Sequence, residues 1–519
     1  MLFHASHGLW ALTAWLASAS ALPTLQTSSG QELVNLLERA ANPELDIAVS
    51  PKASILHPGD AGFAEDTQRW SERDAPTFKV AFFPATEKDV AIGLKYMTSH
   101  NVSFLAASGS KGFSKTLASV QGGVNLNLKN FDKVTYDKAK KTMTVGGGAK
   151  FQQLWTLAYN EKRELPLSSA CVGVGGCTVG GGHGWLQGKY GLVIDAVLSM
   201  RVALWDGTIV TASETQNSDL FWAMRGAGQN FGIMLEFTMK TWPQTNGGMF
   251  YNADMSFTSD SLEGVVGVIN DIIPTQPADL GIDFVIFTNA TTNQTQLYLG
   301  FVYLGDAEKG KELAARFADS KQKGIQRTLF NESMARWDQL SDVVVGGFID
   351  QACSGGSNQQ VDVYTANTKQ IDAGQARRIW DSYDDFVAKH PGAARSTVLW
   401  EVFAQQALRN PPGGADRTAY AGRDTATVLV LVQGIYNDAA LGPDVDAWAR
   451  PWRDEITSTS GYPRQTIYMN YAHGDEPLEA MYGYEPWRLD RLRRLKAKYD
   501  PHGHFNHYNS VLGITKQGY

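Results

Sequence analysis

Residues 168–188 read Ser168-Ser-Ala-Cys-Val-Gly-Val-Gly-Gly-Cys-Thr-Val-Gly-Gly-Gly-His-Gly-Trp-Leu-Gln-Gly188, a glycine-crowded stretch without one charged side chain. Glycine adopts left-handed backbone angles and lets main chain approach a ligand with no Cβ in the way. Successive backbone N–H groups presented in this manner hold phosphates and flat polar rings. The stretch therefore predicts a large cofactor lying against main chain. It is not a Rossmann fingerprint, which needs Gly-x-Gly-x-x-Gly between a strand and a helix. Gly173 and Gly175 begin that pattern, but its third position is Thr178. Gly226-Ala-Gly228 fails as well, because its third glycine arrives one residue late, at Gly232.

Outward from this stretch, strand and helix patterns alternate. Phe78–Pro84 reads as a strand ended by proline, Glu87–Ser99 as an amphipathic helix, and Val102–Ala107 as a strand. A tight loop, Ser108-Gly-Ser-Lys-Gly112, follows. Val124–Leu128 and Thr142–Val145 read as strands and Phe151–Asn160 as a helix. Leu198–Leu204 and Thr208–Thr211 read as a hairpin about Asp206-Gly207. Asp219–Gly228 reads as a short helix ending on glycine. Residues 244–464 differ in texture. Apolar strands (Gly281–Thr288, Gln296–Tyr303, Thr425–Gly434) alternate with helices (Glu308–Asp319, Gln375–His390, Val445–Ser458), which implies a sheet with helices on one face. The last helix is Pro486–Tyr499, with Leu489, Leu492, Leu495 and Tyr499 as its buried stripe.

A chain of 519 residues exceeds what a single core holds. Its net charge of −7 and lack of a basic patch argue against a nucleic-acid partner. Leu9–Leu16 is an apolar run too short to span a bilayer, and Ala19-Ser-Ala21 follows as a small-residue cleavage site. This predicts a secretory signal over 1–21, and no later run is long enough for a membrane anchor. An amphipathic helix is expected over Gln31–Ala41. Sequons at Asn101, Asn289, Asn293 and Asn331 fit that route, with Asn101 expected to open a buried strand. Three cysteines rule out a disulfide framework; Cys171 and Cys177 either pair or are small buried residues. His502, His504 and His507 sit in a turn after a surface helix, and no metal site is expected.

Four ordered segments together resemble the berberine-bridge-enzyme-like flavin oxidases, which carry a vanillyl-alcohol-oxidase-type (PCMH-type) FAD domain. They are Ala107–Phe113, then Val172–Gly176 with Gly180–Gly182, then Leu220–Gly228 with Asn230–Gly232, and finally Tyr468–Tyr471 followed by Tyr499–Pro501. The resemblance implies an α+β fold: a two-subdomain FAD-binding domain over 77–243 after an N-terminal segment 22–76. A substrate domain over 244–464 has an antiparallel sheet covered by helices, and 465–511 returns to the FAD domain. It implies FAD as cofactor, held by Ser108, Gly109, Ser110, Lys111, Gly112, Phe113, Ser169, Val172, Gly173, Gly176, Gly182 and Asn470, with Ile194 and Val202 toward the adenine. Asn470 is expected on one strand face with Tyr468.

The sequence departs from the family at two positions. The His and Cys that bond the flavin covalently in relatives correspond to Lys111 and Ser169, which implies non-covalent FAD. By position, Tyr468 faces the substrate, His183 is a candidate general base, and Gln433 points into the same cavity. The expected activity is hydride transfer from a small alcohol, phenol or alkaloid-like metabolite to flavin N5, with oxygen as acceptor. A carbohydrate oxidase of the same fold and a non-redox cyclase are the alternatives.

Overall fold

The computed structural model describes residues 47–166, 168–347 and 358–513. The signal segment, the helix expected over Gln31–Ala41 and Cys353 lie outside the described residues. Among the described residues, three sheets of four or more strands each grow from a contiguous stretch of sequence, and a two-stranded ribbon pairs Arg163–Glu164 with Trp242–Pro243.

The first sheet holds β1 (Ser54–Leu56), β2 (Phe78–Phe83), β3 (Phe104–Ala107) and β4 (Gly123–Asn127), in the order β1-β2-β4-β3. Strands β2, β4 and β3 run parallel, and α1 (Glu87–Ser99) provides the crossover from β2 to β3. Helix α1 starts where Thr86 accepts from the Asp89 N–H and Asp89 reciprocates, a capping box that satisfies two orphan donors. Asn101 does not open a buried strand. It is exposed at φ 53° in the turn after α1, and β3 begins at Phe104. Asparagine tolerates that left-handed turn, which a bulkier side chain resists.

The second sheet is antiparallel, with β5 (Val134–Asp137), β6 (Thr142–Gly146), β7 (Val197–Ala203), β8 (Ile209–Ser213) and β9 (Ile233–Lys240) in the order β5-β6-β9-β7-β8. Between β6 and β7 run α2 (Phe151–Asn160) and the short α3 (Val174–Gly180). Helix α3 falls inside the glycine-crowded stretch. Helix α4 (Ser218–Ala227) packs against it.

The third sheet has seven antiparallel strands: β10 (Met249–Phe257), β11 (Leu280–Thr288), β12 (Thr295–Tyr303), β13 (Arg327–Arg336), β14 (Gln360–Thr368), β15 (Thr397–Phe403) and β16 (Val428–Tyr436). Their order is β13-β10-β12-β11-β15-β16-β14. Side chains alternate between two faces. Ile282, Phe284, Ile286, Val398, Trp400, Val402, Val430 and Val432 form one face and pack into a core with α5 (Leu262–Ile272), α6 (Ala373–Lys389) and α7 (Gly442–Thr459). The residues between them, Asp283, Val285, Thr397, Leu399, Glu401, Phe403, Leu431 and Gln433, line a cavity. Helices on one face thus leave the other free for a ligand. The fold is α+β, with an antiparallel sheet covered by helices as expected. The closing helix α8 (Pro486–Tyr499) packs on α4 of the glycine-rich half.

Candidate active site

The cavity has a volume of about 440 Å³ and lies between two dissimilar walls. That size falls in the range of cofactor and small-molecule sites. One wall is backbone. The loop after β3 and the loop before α3 pass so closely that a Cβ on Gly109 would stand 2.5 Å from the Gly173 nitrogen, and a Cβ on Gly173 would collide with Gly109 in return. Ser108 locks the two together: its Oγ donates to the Gly147 carbonyl at 2.6 Å and accepts from the Gly175 N–H at 3.2 Å. Gly176 lines the cavity and has open space where a Cβ would stand. Ser110 adopts φ 54°, and its carbonyl accepts from the Trp70 N–H. Arg69 donates to the Gly112 carbonyl at 2.9 Å, and burial brings its guanidinium down to about 10. A flat dinucleotide against main chain fits this wall: Gly109 and Gly173 let the two loops meet with no side chain between them, and Gly176 leaves bare backbone at the cavity.

Lys111 and Ser169 both line this cavity. The Lys111 ammonium lies 5.9 Å from the Trp70 ring centre, and burial, with the charge of Lys150, lowers it to about 8. Cys171 is disulfide-bonded and Cys177 is a free thiol, so the two do not pair with each other. Burial raises the Cys177 thiol to about 11, and it lies 3.2 Å from Ser168 Oγ.

At the centre, Gly181 and Gly182 turn with positive φ and bring the Gly182 N–H to the Tyr468 hydroxyl at 2.9 Å. Asn470 donates to the same hydroxyl at 2.7 Å and to the Cys177 carbonyl at 3.0 Å. Tyr468 and Asn470 do not share a strand face: Met469–Tyr471 is a 3₁₀ turn, which folds Asn470 back onto Tyr468. His183 is buried with both ring nitrogens engaged. Nδ1 lies 2.8 Å from Gln187 Oε1, and Nε2 lies 2.6 Å from the Tyr420 hydroxyl. An amide oxygen only accepts, so Nδ1 carries the proton and Nε2 accepts from Tyr420. Burial lowers His183 to about 4, so the ring is neutral at physiological pH. Below Tyr420, Arg423 and Asp195 form a buried two-pronged ion pair at 2.7 and 3.0 Å.

The other wall is the inner face of the seven-stranded sheet. It is aliphatic (Val285, Val363, Leu399, Leu431), interrupted by Gln433 and two acids. Asp283 and Glu401 stand directly opposite each other on β11 and β15. The Tyr471 hydroxyl donates to Glu401 Oε1 at 3.2 Å. Burial raises Glu401 to about 7. Burial and then the Glu401 charge raise Asp283 well above the usual carboxylate range. Burial and the Glu401 charge also raise Tyr471.

The structure brings Ser108–Phe113, Ser169, Val172, Gly173, Gly176, His183, Gln433, Tyr468 and Asn470 to one cavity. Gly182, Ile194 and Val202 are not on its surface. Gly182 abuts Val193, Val202 lies behind the lining residue Gly232, and Ile194 packs with Leu408, Tyr420 and Tyr468. Sequence reasoning missed Asp283, Glu401, Tyr471 and Tyr420. The two acids had a signal, a lone carboxylate amid apolar residues in Ile282-Asp-Phe284 and Trp400-Glu-Val402, since a buried polar residue is the informative exception.

Among the described residues, no group of three or more His, Cys, Asp or Glu side chains is placed to hold a metal ion, and no helix is long and apolar enough to cross a membrane. The sequence matches the FAD binding domain family over residues 78–213 and the family described as berberine and berberine like over 467–512. It is 34% identical to the FAD-linked oxidoreductase OXR1 of Pyricularia oryzae over 89% of each chain. It is 32% identical to the FAD-linked oxidoreductase azaL of Aspergillus niger, over 87% of this chain and 94% of that one. Its fold is similar to a xylooligosaccharide oxidase from Myceliophthora thermophila C1 (TM-score 0.72, 22% identity, 89% of this chain and 98% of that one). A berberine-bridge-like protein of Physcomitrella patens gives TM-score 0.73 at 19% identity, over 94% of this chain and 100% of that one. The chain belongs to the berberine-bridge-like family of FAD-linked oxidoreductases, and it is an enzyme whose cofactor is FAD.

Proposed function

We propose that the protein is an oxidase that removes hydride from a small, largely apolar alcohol or phenol. The observation that carries this reading is the Tyr471–Glu401 pair, set on the sheet wall of the cavity whose opposite wall is glycine backbone. Bound FAD supplies the hydride acceptor at N5, and molecular oxygen is the terminal acceptor. Glu401 takes the substrate's hydroxyl proton through Tyr471 as the carbon gives up its hydride. A carboxyl near 7 is matched to that task at neutral pH. Tyr468, fixed by Gly182 and Asn470, and His183, fixed by Gln187 and Tyr420, position the donor carbon. Gln433 offers the wall's amide for orienting a polar substituent. The aliphatic lining at Val285, Val363, Leu399 and Leu431 favours an apolar skeleton over a sugar.

In this reading FAD is non-covalent, since Lys111 and Ser169 stand at the family's attachment positions and neither makes the usual bond. The enzyme enters the secretory pathway. That assignment is supported by exposed sequons at Asn101, Asn293 and Asn331, a half-buried one at Asn289, and the Cys171 disulfide. Acid precipitation of the purified yellow protein tests attachment: flavin in the supernatant is expected, and flavin in the pellet overturns it. A screen of alcohols and phenols for peroxide release tests the oxidase reading. A protein that stays colourless after incubation with FAD, yet converts substrate, favours the non-redox cyclase instead.

A further inference from the structure

Asp283 is 6% exposed, and its Oδ1 has neither solvent nor a hydrogen-bond partner. Glu401 Oε2, on the facing strand, is likewise buried without a partner. Both residues line the cavity. Buried carboxylates are ordinarily paired with a cation or saturated with donors. The groups around this pair supply little of either. Leu399 and Phe403 flank Glu401 on β15, and Val285 lies beyond Asp283 on β11. Opposite Asp283 on β12 is Gly300, against which Val344 and Val345 pack. From β16 come Leu431 and Gln433, and from the 3₁₀ turn comes Tyr471, which donates to Glu401. The nearest further acid in this strand row, Asp254 on β10, accepts from the Val345 and Gly346 N–H groups at 2.9 and 3.2 Å. Neither Asp283 nor Glu401 owes any part of its shift to a lysine or arginine.

Two carboxyls with no cationic partner thus stand in a wall that is aliphatic apart from Thr397, Phe403 and Gln433. We propose that the substrate carries a protonated amine, and that Asp283 and Glu401 receive its ammonium group, with Asp283 determining this preference. The inference deepens the oxidase reading and rests on it for taking this cavity as the substrate site. An arriving ammonium favours the ionised form of both carboxyls. The proton held by the pair then leaves to solvent.

The test uses the flavin-loaded full chain and two phenols of similar size, tyramine with an ammonium and tyrosol with a hydroxyl. Calorimetry near neutral pH, in buffers of different ionisation enthalpy, reads affinity and proton release together. Tyramine is expected to bind about 10- to 100-fold more tightly than tyrosol, the scale of a buried hydrogen bond to charge, and to release a proton that tyrosol does not. Asp283→Asn, checked for an unchanged flavin spectrum and melting temperature, is expected to bring the two affinities within about threefold. Equal affinities in the unsubstituted enzyme, absence of tyramine binding, or binding with no proton release overturns the inference. Proton release needs no variant, so a folding defect in Asp283→Asn leaves the test standing. Turnover of phenols or alcohols without amine preference sinks the ammonium seat and spares the oxidase reading. Amine-selective binding with no flavin reduction by any substrate does the reverse.

Discussion

The two walls of the cavity are built on opposite principles. The glycine wall shows a ligand the main chain, with close approaches at Gly109 and Gly173 and an open position at Gly176. The sheet wall shows side chains only, with Asp283, Glu401 and Gln433 set among aliphatic residues. A Cβ at Gly109 or Gly173 disturbs the first, whereas new side chains on the second change what it recognises. In the proposed reading the first wall seats the cofactor, and the second sets substrate and proton transfer.

The sharpest way to break this division is Gly173→Val. Its branched side chain meets the Gly109 backbone, so the purified protein is expected to lose nearly all its FAD, read from the flavin absorbance per chain. Retention of flavin would show that the backbone wall does not seat the cofactor. Next come Glu401→Gln and Tyr471→Phe, which leave flavin content intact. Each is expected to slow flavin reduction in stopped flow by about 10²–10⁴-fold. A variant within threefold of the parent removes Glu401–Tyr471 from the chemistry.

The third prediction is a pH profile. A base must be ionised to act, so kcat/KM rises as pH increases through about 7, and Glu401→Gln abolishes that limb. Stability moves the other way. Because Glu401 is raised in the folded state, its stabilising contribution is full below the ordinary carboxylate range and is lost as pH rises through about 7. His183 has the opposite sign: it is lowered to about 4, so its contribution is present above about 6.5 and is lost as pH falls toward 4. Melting temperatures of the parent, Glu401→Gln and His183→Asn across pH 4–8 separate the two. The smallest effect is expected at Leu399→Gln. It leaves flavin content unchanged and shifts preference by about tenfold from apolar toward hydroxyl-rich substrates, checked by comparing KM values.

Much of the backbone wall was legible in sequence, since glycine clusters signal main-chain approach wherever they occur. Asn470 was legible as a site residue, but its place in a turn was not. In that turn Asn470 packs on Gly180, where a Cβ would collide with its amide. The sheet was only partly legible. Strand β10 alternates apolar and polar residues over 251–257 yet is buried on both faces, and β13 is an exposed edge strand with little apolar signal.

By itself the sequence determined the elements whose period repeats locally. Helices Glu87–Ser99, Phe151–Asn160 and Pro486–Tyr499 run between the residues their patterns predict. It also determined the cofactor, because four ordered motifs carry the family. Only the tertiary structure decided which acids face the cavity. Asp283, Glu401 and Tyr471 come from distant parts of the chain and meet through strand register, and a shift of one residue would turn each strand acid into the helix-covered core. It likewise decided that His183 is a fixed, neutral ring, since Gln187 and Tyr420 hold its two nitrogens and Tyr420 comes from a loop over two hundred residues away. Periodicity is a local property of a chain, but register, burial and the company a charge keeps are set by the whole fold.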